Sequence, residues 1–409
     1  MRILVIGGTQ FMGRETVERR LGRGHDVSVL HRRDHNDFGD GVVRNLKADR
    51  ADLDAMSRNL GNGASEAVLD FAYDWEQGTT EAQVEAAARS CGDGLVRYVF
   101  ISSAAVYAGG RDQREDAALA PADHPMPYVQ HKVTAERALL AMHRESGFPV
   151  TIFRPPFVHG PRQPFYWESF FWDRLLDGRP VILPDGGDTP MPWVFVSDVA
   201  EACVRAIEVP GAVGETFNVG HVEPVTQRTW VEALTRTAGV EPTLVPVPRA
   251  TIHAAGGEVM GGNLYFGEVL DIPPVLTLDV EKAARMLGFE PAPFDDALGA
   301  GLRLVPAPSC GGLRLSRTGF WPRPEPGQGA MGVTRRQAEG FMASTGPGSP
   351  GRVSFSTEVA SRSVARRVEC PPRSLTKQAI PAQGYAGRVD DRRRHVRRLT
   401  IQRGVTFVD

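Results

Sequence analysis

Tyr128 and Lys132, four residues apart in the stretch YVQHK, are the pair in this sequence best placed to move a proton. On a helix running through YVQHKVTAERALLAM, residues 128–142, positions i and i+4 share one face a single turn apart. An ammonium beside a phenol favours the phenolate, which predicts that Tyr128 exchanges a proton with a substrate hydroxyl near neutral pH. With four Lys and seven Tyr in 409 residues, a chance YxxxK is expected only on the order of 0.07 times. Ser103 follows the strand-like run YVFIS at 98–102, where the C-terminal edge of a parallel sheet would offer its hydroxyl to the same substrate oxygen. Taken alone, that hydroxyl serves equally to satisfy the loop backbone.

These groups need a scaffold. Residues 3–6 read as a short buried strand, GGTQFMG as a turn, RETVERRLGRG as a helix with Val17 and Leu21 on one face, and 27–30 as a second strand ending in HRR. Together they make a βαβ unit of about thirty residues. Further apolar runs at 67–71, 98–102 and 150–153 predict a parallel sheet with helices on both faces. In a dinucleotide-binding loop the first glycine allows the tight turn, the second lets the backbone approach the pyrophosphate, and the third permits close helix packing. Gly7 and Gly13 fit that spacing, whereas the middle position is Gln10. On its own the loop reads equally as a plain strand-to-helix turn.

The net charge of −2 conceals two unlike parts. From residue 304 onward there are 18 Arg and Lys against 7 Asp and Glu, which leaves 29 against 42 in residues 1–303. The segment 304–409 is rich in Pro, Gly, Ser and Arg without a sustained period of 2 or 3.6, so it is expected to be a low-order basic tail. It reads either as a flexible arm for an acidic partner or as read-through of GC-rich DNA. The chain has neither a secretory apolar region nor an 18-residue apolar run, so a cytoplasmic location away from membranes is expected. Cys91, Cys203, Cys310 and Cys370 lie far apart without metal-ligand spacing, which predicts incidental thiols and no metal site.

Taken in order, the glycine loop, SSAAVY, YxxxK, FRPPFVHGP (153–161), WVFVSDVAEA (193–202) and GETFNVG (214–220) resemble the NAD-dependent epimerase/dehydratase family, the extended short-chain dehydrogenases/reductases. GGTQFMG looks most like a GGTxFxG subgroup, in which a non-glycine middle residue is usual. That subgroup includes bacterial proteins similar to the chloroplast stem-loop RNA-binding proteins. The resemblance spans residues 1–303 and implies an α/β fold, a Rossmann-type doubly wound parallel sheet. It implies an NAD(P)-binding domain over 1–160 and a smaller C-terminal substrate-binding subdomain over 161–303, some of whose elements return to the sheet. It further implies Ser103, Tyr128 and Lys132 as the catalytic set. Tyr128 would be the general acid/base, Ser103 would hold the substrate oxygen, and Lys132 would lower the tyrosine pKa and bind the nicotinamide ribose. Gly7, Thr9, Gln10, Phe11 and Gly13 would line the cofactor. Asp49, in LKADRADL, would contact the adenine amino group; without the family it reads as a turn or N-cap residue.

Where NAD sites place an acidic residue after the second strand, this chain has His31, Arg32 and Arg33, so NADP is expected over NAD, although Asp34 is close. Family dehydratases carry an acidic pair directly after the Ser/Thr; here Ala104 and Ala105 stand there, which leaves epimerisation or carbonyl reduction. Phe157 and Met191 occupy the places of a substrate-binding Asn and a diphosphate-gripping Arg, which weakens a nucleotide-sugar assignment. Arg154, Phe157 and Met191 remain the expected substrate contacts, with Arg162 or Arg228 as compensating cations. The aromatic run in PFYWESFFWDRLL reads as core and lid packing or as an apolar wall for an aromatic or lipid-like substrate. A small-molecule substrate and a homodimer are the expected partners. A nucleic-acid-binding protein on the same fold, using the arginine-rich tail, is the alternative, opposed by the acidic balance of residues 1–303.

Overall fold

A computed structural model describes residues 1–39, 41–61, 65–165, 168–254 and 276–303. The basic segment 304–409, with Cys310 and Cys370, and Tyr166 and Trp167 of the aromatic run lie outside the described residues. All described residues belong to one compact unit, and no helix among them is long and apolar enough to cross a membrane.

Strands covered on both faces must be apolar at nearly every position. Thus β1 (Arg2–Ile6) buries four residues in a row, and β2 (Asp26–His31) follows α1 (Phe11–Gly22) as its parallel neighbour. The next strand, β3 (Arg44–Lys47), is short and polar, in keeping with an edge position. The chain then runs through α2 (Leu53–Leu60), β4 (Ala67–Asp70), α3 (Glu81–Arg89) and β5 (Arg97–Ile101). A short strand, β6 (Gly110–Gln113), precedes the long helix α4 (Pro127–Ser146), and β7 (Val150–Arg154) returns to the sheet. After it come β8 (Phe157–His159), α5 (Glu168–Leu176), β9 (Val181–Pro184), β10 (Pro190–Met191), β11 (Trp193–Phe195) and α6 (Val196–Glu208). The last described elements are β12 (Thr216–Asn218), β13 (Val225–Thr226), α7 (Gln227–Ala238), β14 (Leu244–Val247), α8 (Arg249–Ala254), β15 (Leu276–Leu278), α9 (Glu281–Leu287) and α10 (Phe294–Arg303).

Seven of the strands form one parallel sheet in the order β12-β7-β5-β4-β1-β2-β3. Val5 stands opposite Val29 on one side and Leu69 on the other, which fixes the register at the centre. Strand alternation then divides the core in two. Ile3, Val5, Val29 and Leu69 meet Val17 of α1 and Val199, Ala202 and Cys203 of α6. Leu4, Ile6, Val68 and Phe100 meet Met56 of α2, Val84 of α3 and Leu139 of α4 on the opposite face. This is the doubly wound Rossmann-type sheet, and its order reverses between β1 and β4, where such folds bind ligands outside the carboxyl ends of the strands.

Residues beyond 160 divide between two places. Phe170, Phe171, Leu183, Met191, Trp193, Val225 and Trp230 build a separate apolar cluster, while α6 packs against the sheet and β12 joins it beside β7. The face of α1 differs in one respect from its apolar reading: Arg20 is fully buried, donating from Nη2 to the Val204 carbonyl at 2.8 Å. Its guanidinium satisfies a backbone group where helices α1 and α6 meet.

Candidate active site

The turn after β1 crowds two glycines together. A Cβ on Gly13 would overlap the Gly7 carbonyl oxygen, and one on Gly8 would press on Val5 and Val29. Gly7 also has φ of 78°, a left-handed conformation that favours glycine. Gln10 has φ of −133° and ψ of 149° and an exposed side chain, so the middle position needs no glycine. Helix α1 begins there with no side-chain cap and no acidic residue in its first turn. Its open N–H groups and positive dipole end, beside a cradle with no space for a Cβ, fit the pyrophosphate of a dinucleotide. Thr9 and Phe11 are buried in the same turn, and Phe11 has φ of 40°, the kind of backbone strain that collects at ligand sites.

The basic pair after β2 reaches this turn unevenly. Arg33 places Nη2 at 3.5 Å from the Thr9 hydroxyl, whereas Arg32 pairs with Asp74 at 3.3 Å. Asp34 is engaged by Lys47 at 2.6 Å. Asp49 is exposed, and its carboxylate accepts from the Ala51 backbone at 2.8 Å, the local turn its sequence also suggested.

Ser103, Tyr128 and Lys132 come together at the carboxyl end of β5. The Ser103 side chain caps a short 3-10 turn, accepting from the Ala105 N–H at 3.2 Å, and lies near enough to Tyr128 to favour its phenolate. Lys132 is buried, donates from Nζ to the Ile101 carbonyl at 2.7 Å and lies over the rings of Phe100, Tyr73 and Tyr128 at 4.9, 5.3 and 5.9 Å. The expectation that this ammonium brings the phenol toward neutrality is corrected by the surroundings. Burial raises the Tyr128 pKa above its usual value, opposed by the nearby Ser103 hydroxyl, so the phenol stays protonated. Burial also lowers Lys132 to about 8, against the opposing charges of Asp70 and Glu136 and helped by Arg50.

Arg154 and Met191, expected as substrate contacts, are both engaged inside the protein. Arg154 is 3% exposed and spends its donors inside the protein: Nη2 meets Glu136 at 2.6 Å, and Nη1 meets the Tyr107 hydroxyl and the Glu115 carbonyl, both at 2.9 Å. Met191 is 3% exposed within the apolar cluster around Trp193 and Trp230. Phe157 is half-buried, with its ring 5.5 Å from that of Trp193. Arg162 pairs with Glu18 at 2.9 Å, and Arg228 donates to the Gly186 carbonyl at 2.6 Å.

Several neighbours of Tyr128 were not visible from local spacing. Tyr73 and Trp75, on the loop after β4, place their rings 4.8 and 5.0 Å from the Tyr128 ring. His131 hydrogen-bonds the Tyr73 hydroxyl at 3.1 Å. Asp70, at the end of β4, is buried in an ion pair with Arg50 and accepts from the Tyr98 hydroxyl at 2.8 Å. The one available signal was the carboxyl edge itself: whatever follows β4 must lie beside whatever follows β5.

Residues 3–220 match the NAD dependent epimerase/dehydratase family, and the chain belongs to it. It is thus an enzyme of the NAD-dependent, extended short-chain dehydrogenase type. It is 27% identical over 308 residues to the chloroplast stem-loop binding protein of 41 kDa b of Arabidopsis thaliana, covering 71% of this chain and 75% of that one. To the UDP-glucose 4-epimerase of Mycolicibacterium smegmatis it is 30% identical over 255 residues, covering 54% and 77%. The crystal structure of UDP-glucose 4-epimerase with UDP-glucose from Thermotoga maritima superposes with a TM-score of 0.61 at 22% identity, covering 74% of this chain and 98% of that one.

Proposed function

We propose that this enzyme reduces a carbonyl carbon, or oxidises the matching alcohol, with Tyr128 as the proton-transferring residue and NADP(H) as the preferred cofactor. The observation that carries the reading is the convergence of Ser103, Tyr128 and Lys132 at the carboxyl end of β5, on the same edge of the parallel sheet as the glycine turn after β1. When bound, the nicotinamide supplies or accepts the hydride at the substrate carbon. Tyr128, kept neutral by burial, is a proton donor and suits the reductive direction: its O–H gives its proton to the carbonyl oxygen as negative charge develops there. Ser103 donates a hydrogen bond to the same oxygen and holds it in line. Lys132 fixes the end of β5 through the Ile101 carbonyl and would meet the ribose hydroxyls. Gly7, Gly13 and the first turn of α1 would hold the pyrophosphate, with Thr9, Gln10 and Phe11 around it and Asp49 toward the adenine. The apolar cluster of residues 161–303 would form the substrate side.

Ala104 and Ala105 supply no second acid/base group, which argues against dehydration. The complete Ser-Tyr-Lys set likewise favours chemistry over a stem-loop-binding role. Arg33 beside Thr9 supports a 2′-phosphate partner at the ribose. Calorimetric titration tests this: Arg32→Ala with Arg33→Ala should weaken NADPH binding by about 1–3 kcal/mol and leave NADH nearly untouched. Tighter NADH than NADPH binding in the wild type would overturn the preference, and failure to bind either would sink the assignment.

A further inference from the structure

Trp75 is 60% exposed although three aromatic rings surround it. Its indole stacks on Tyr128, with centroids 5.0 Å apart and planes at 19°. Tyr73 and Phe165 meet it edge-on at 5.0 and 5.1 Å. The loop that carries it is fixed. Asp74 accepts from the Glu76 and Gln77 N–H groups at 2.9 Å, its own N–H donates to the Thr79 hydroxyl at 3.0 Å, and Arg32 pairs with its carboxylate. A rigid loop therefore holds a large, partly open indole against the ring whose hydroxyl does the chemistry. Aromatic rings stack favourably with other planar rings, and holding such a surface in place beforehand lowers the ordering cost of binding.

Three arginines that the sequence offers to a nucleotide diphosphate are engaged within the protein. Arg154 is closed by Glu136, Tyr107 and Glu115, Arg162 by Glu18, and Arg228 by the Gly186 carbonyl. The position expected to hold a phosphate-gripping arginine is Met191, inside an apolar cluster.

We propose that Trp75, with Tyr73 and Phe165, forms the substrate subsite, and that it takes a planar aryl carbonyl compound or its alcohol rather than a sugar nucleotide. This rests on the assignment of Tyr128 as the proton donor, because the subsite adjoins its ring. Trp75 is then the residue that determines specificity. A saturated ring of similar size gains less from the indole face than a flat one does.

The test is calorimetric titration of the full-length enzyme loaded with NADP⁺, which cannot reduce the ketone, with acetophenone, with cyclohexyl methyl ketone and with UDP-glucose, repeated for Trp75→Ala and Trp75→Phe. Acetophenone should bind more tightly than its saturated counterpart. Its Kd should rise on the order of tenfold in Trp75→Ala and by about threefold or less in Trp75→Phe, which keeps a stacking face. Equal acetophenone affinity in wild type and Trp75→Ala, no saturable acetophenone binding, or saturable binding of UDP-glucose would each overturn the subsite. A protein that takes up no NADP⁺ in the loading step would instead defeat the functional assignment on which the subsite rests.

Discussion

Lys132 keeps an ammonium inside the protein, donating to the Ile101 carbonyl at 2.7 Å. Burial lowers its pKa from 10.5 to about 8. Below that pH the group is charged whether the chain is folded or unfolded, and the cost of burying it is fully present. Between about 8 and 10.5 the unfolded chain binds the extra proton, so this cost is relieved and the contribution of Lys132 to stability rises with pH. Activity should move the other way. If the charged form orients the ribose and the end of β5, kcat/KM for ketone reduction should fall as pH rises through about 8; a profile flat to well above that value would contradict the role. Glu136, one turn further along the helix, shows why charge in the core is hard to read from sequence. Its partner Arg154 lies in a motif that suggests substrate contact, yet both groups are almost fully buried and joined at 2.6 Å. Glu136→Gln should cost about 3–5 kcal/mol in denaturant unfolding, because it leaves a buried guanidinium without its carboxylate; a change below about 1 kcal/mol would show that the pair is not needed for folding.

At the scale of elements, the turn between β1 and α1 is the most constrained piece. A Cβ on Gly13 meets the Gly7 carbonyl oxygen, which belongs to backbone and cannot swing away. Gly13→Ala should push the helix from the turn and weaken NADPH binding at least about tenfold, whereas Gln10→Ala, at an exposed position with extended backbone, should change it little; equal losses in calorimetry would contradict the assignment of crowding. The strands around this turn were legible because strands buried on both faces are apolar runs. Those expected at 3–6, 27–30, 67–71, 98–102 and 150–153 agree with the observed ones to within a residue at each end. The edge strand Arg44–Lys47 was not legible, since RNLK has no apolar run. The Tyr128–Lys132 spacing was readable because a helix converts four residues into one turn. The Trp75 stack was not, because it joins a loop to a helix more than fifty residues further along the sequence.

For the whole molecule, the cofactor would lie across the point where the sheet order reverses, touching loops from β1, β2, β4 and β5. A ligand that binds only the folded chain stabilises it, by about 2.7 kcal/mol at a hundred times its Kd. Saturating NADPH should therefore raise the thermal midpoint by about 5 °C, and more than NADH does at the same concentration; no shift with either would argue that the glycine turn holds no dinucleotide. The central claim is that Tyr128 gives the proton. Its most direct test is the rate at which wild-type and Tyr128→Phe enzymes oxidise NADPH in the presence of an aryl ketone, with NADPH affinity measured alongside. Loss of the hydroxyl removes the transferable proton and little binding surface, so the account predicts a fall in kcat/KM of about a hundredfold to ten-thousandfold with NADPH affinity unchanged. Wild-type turnover in Tyr128→Phe would contradict it.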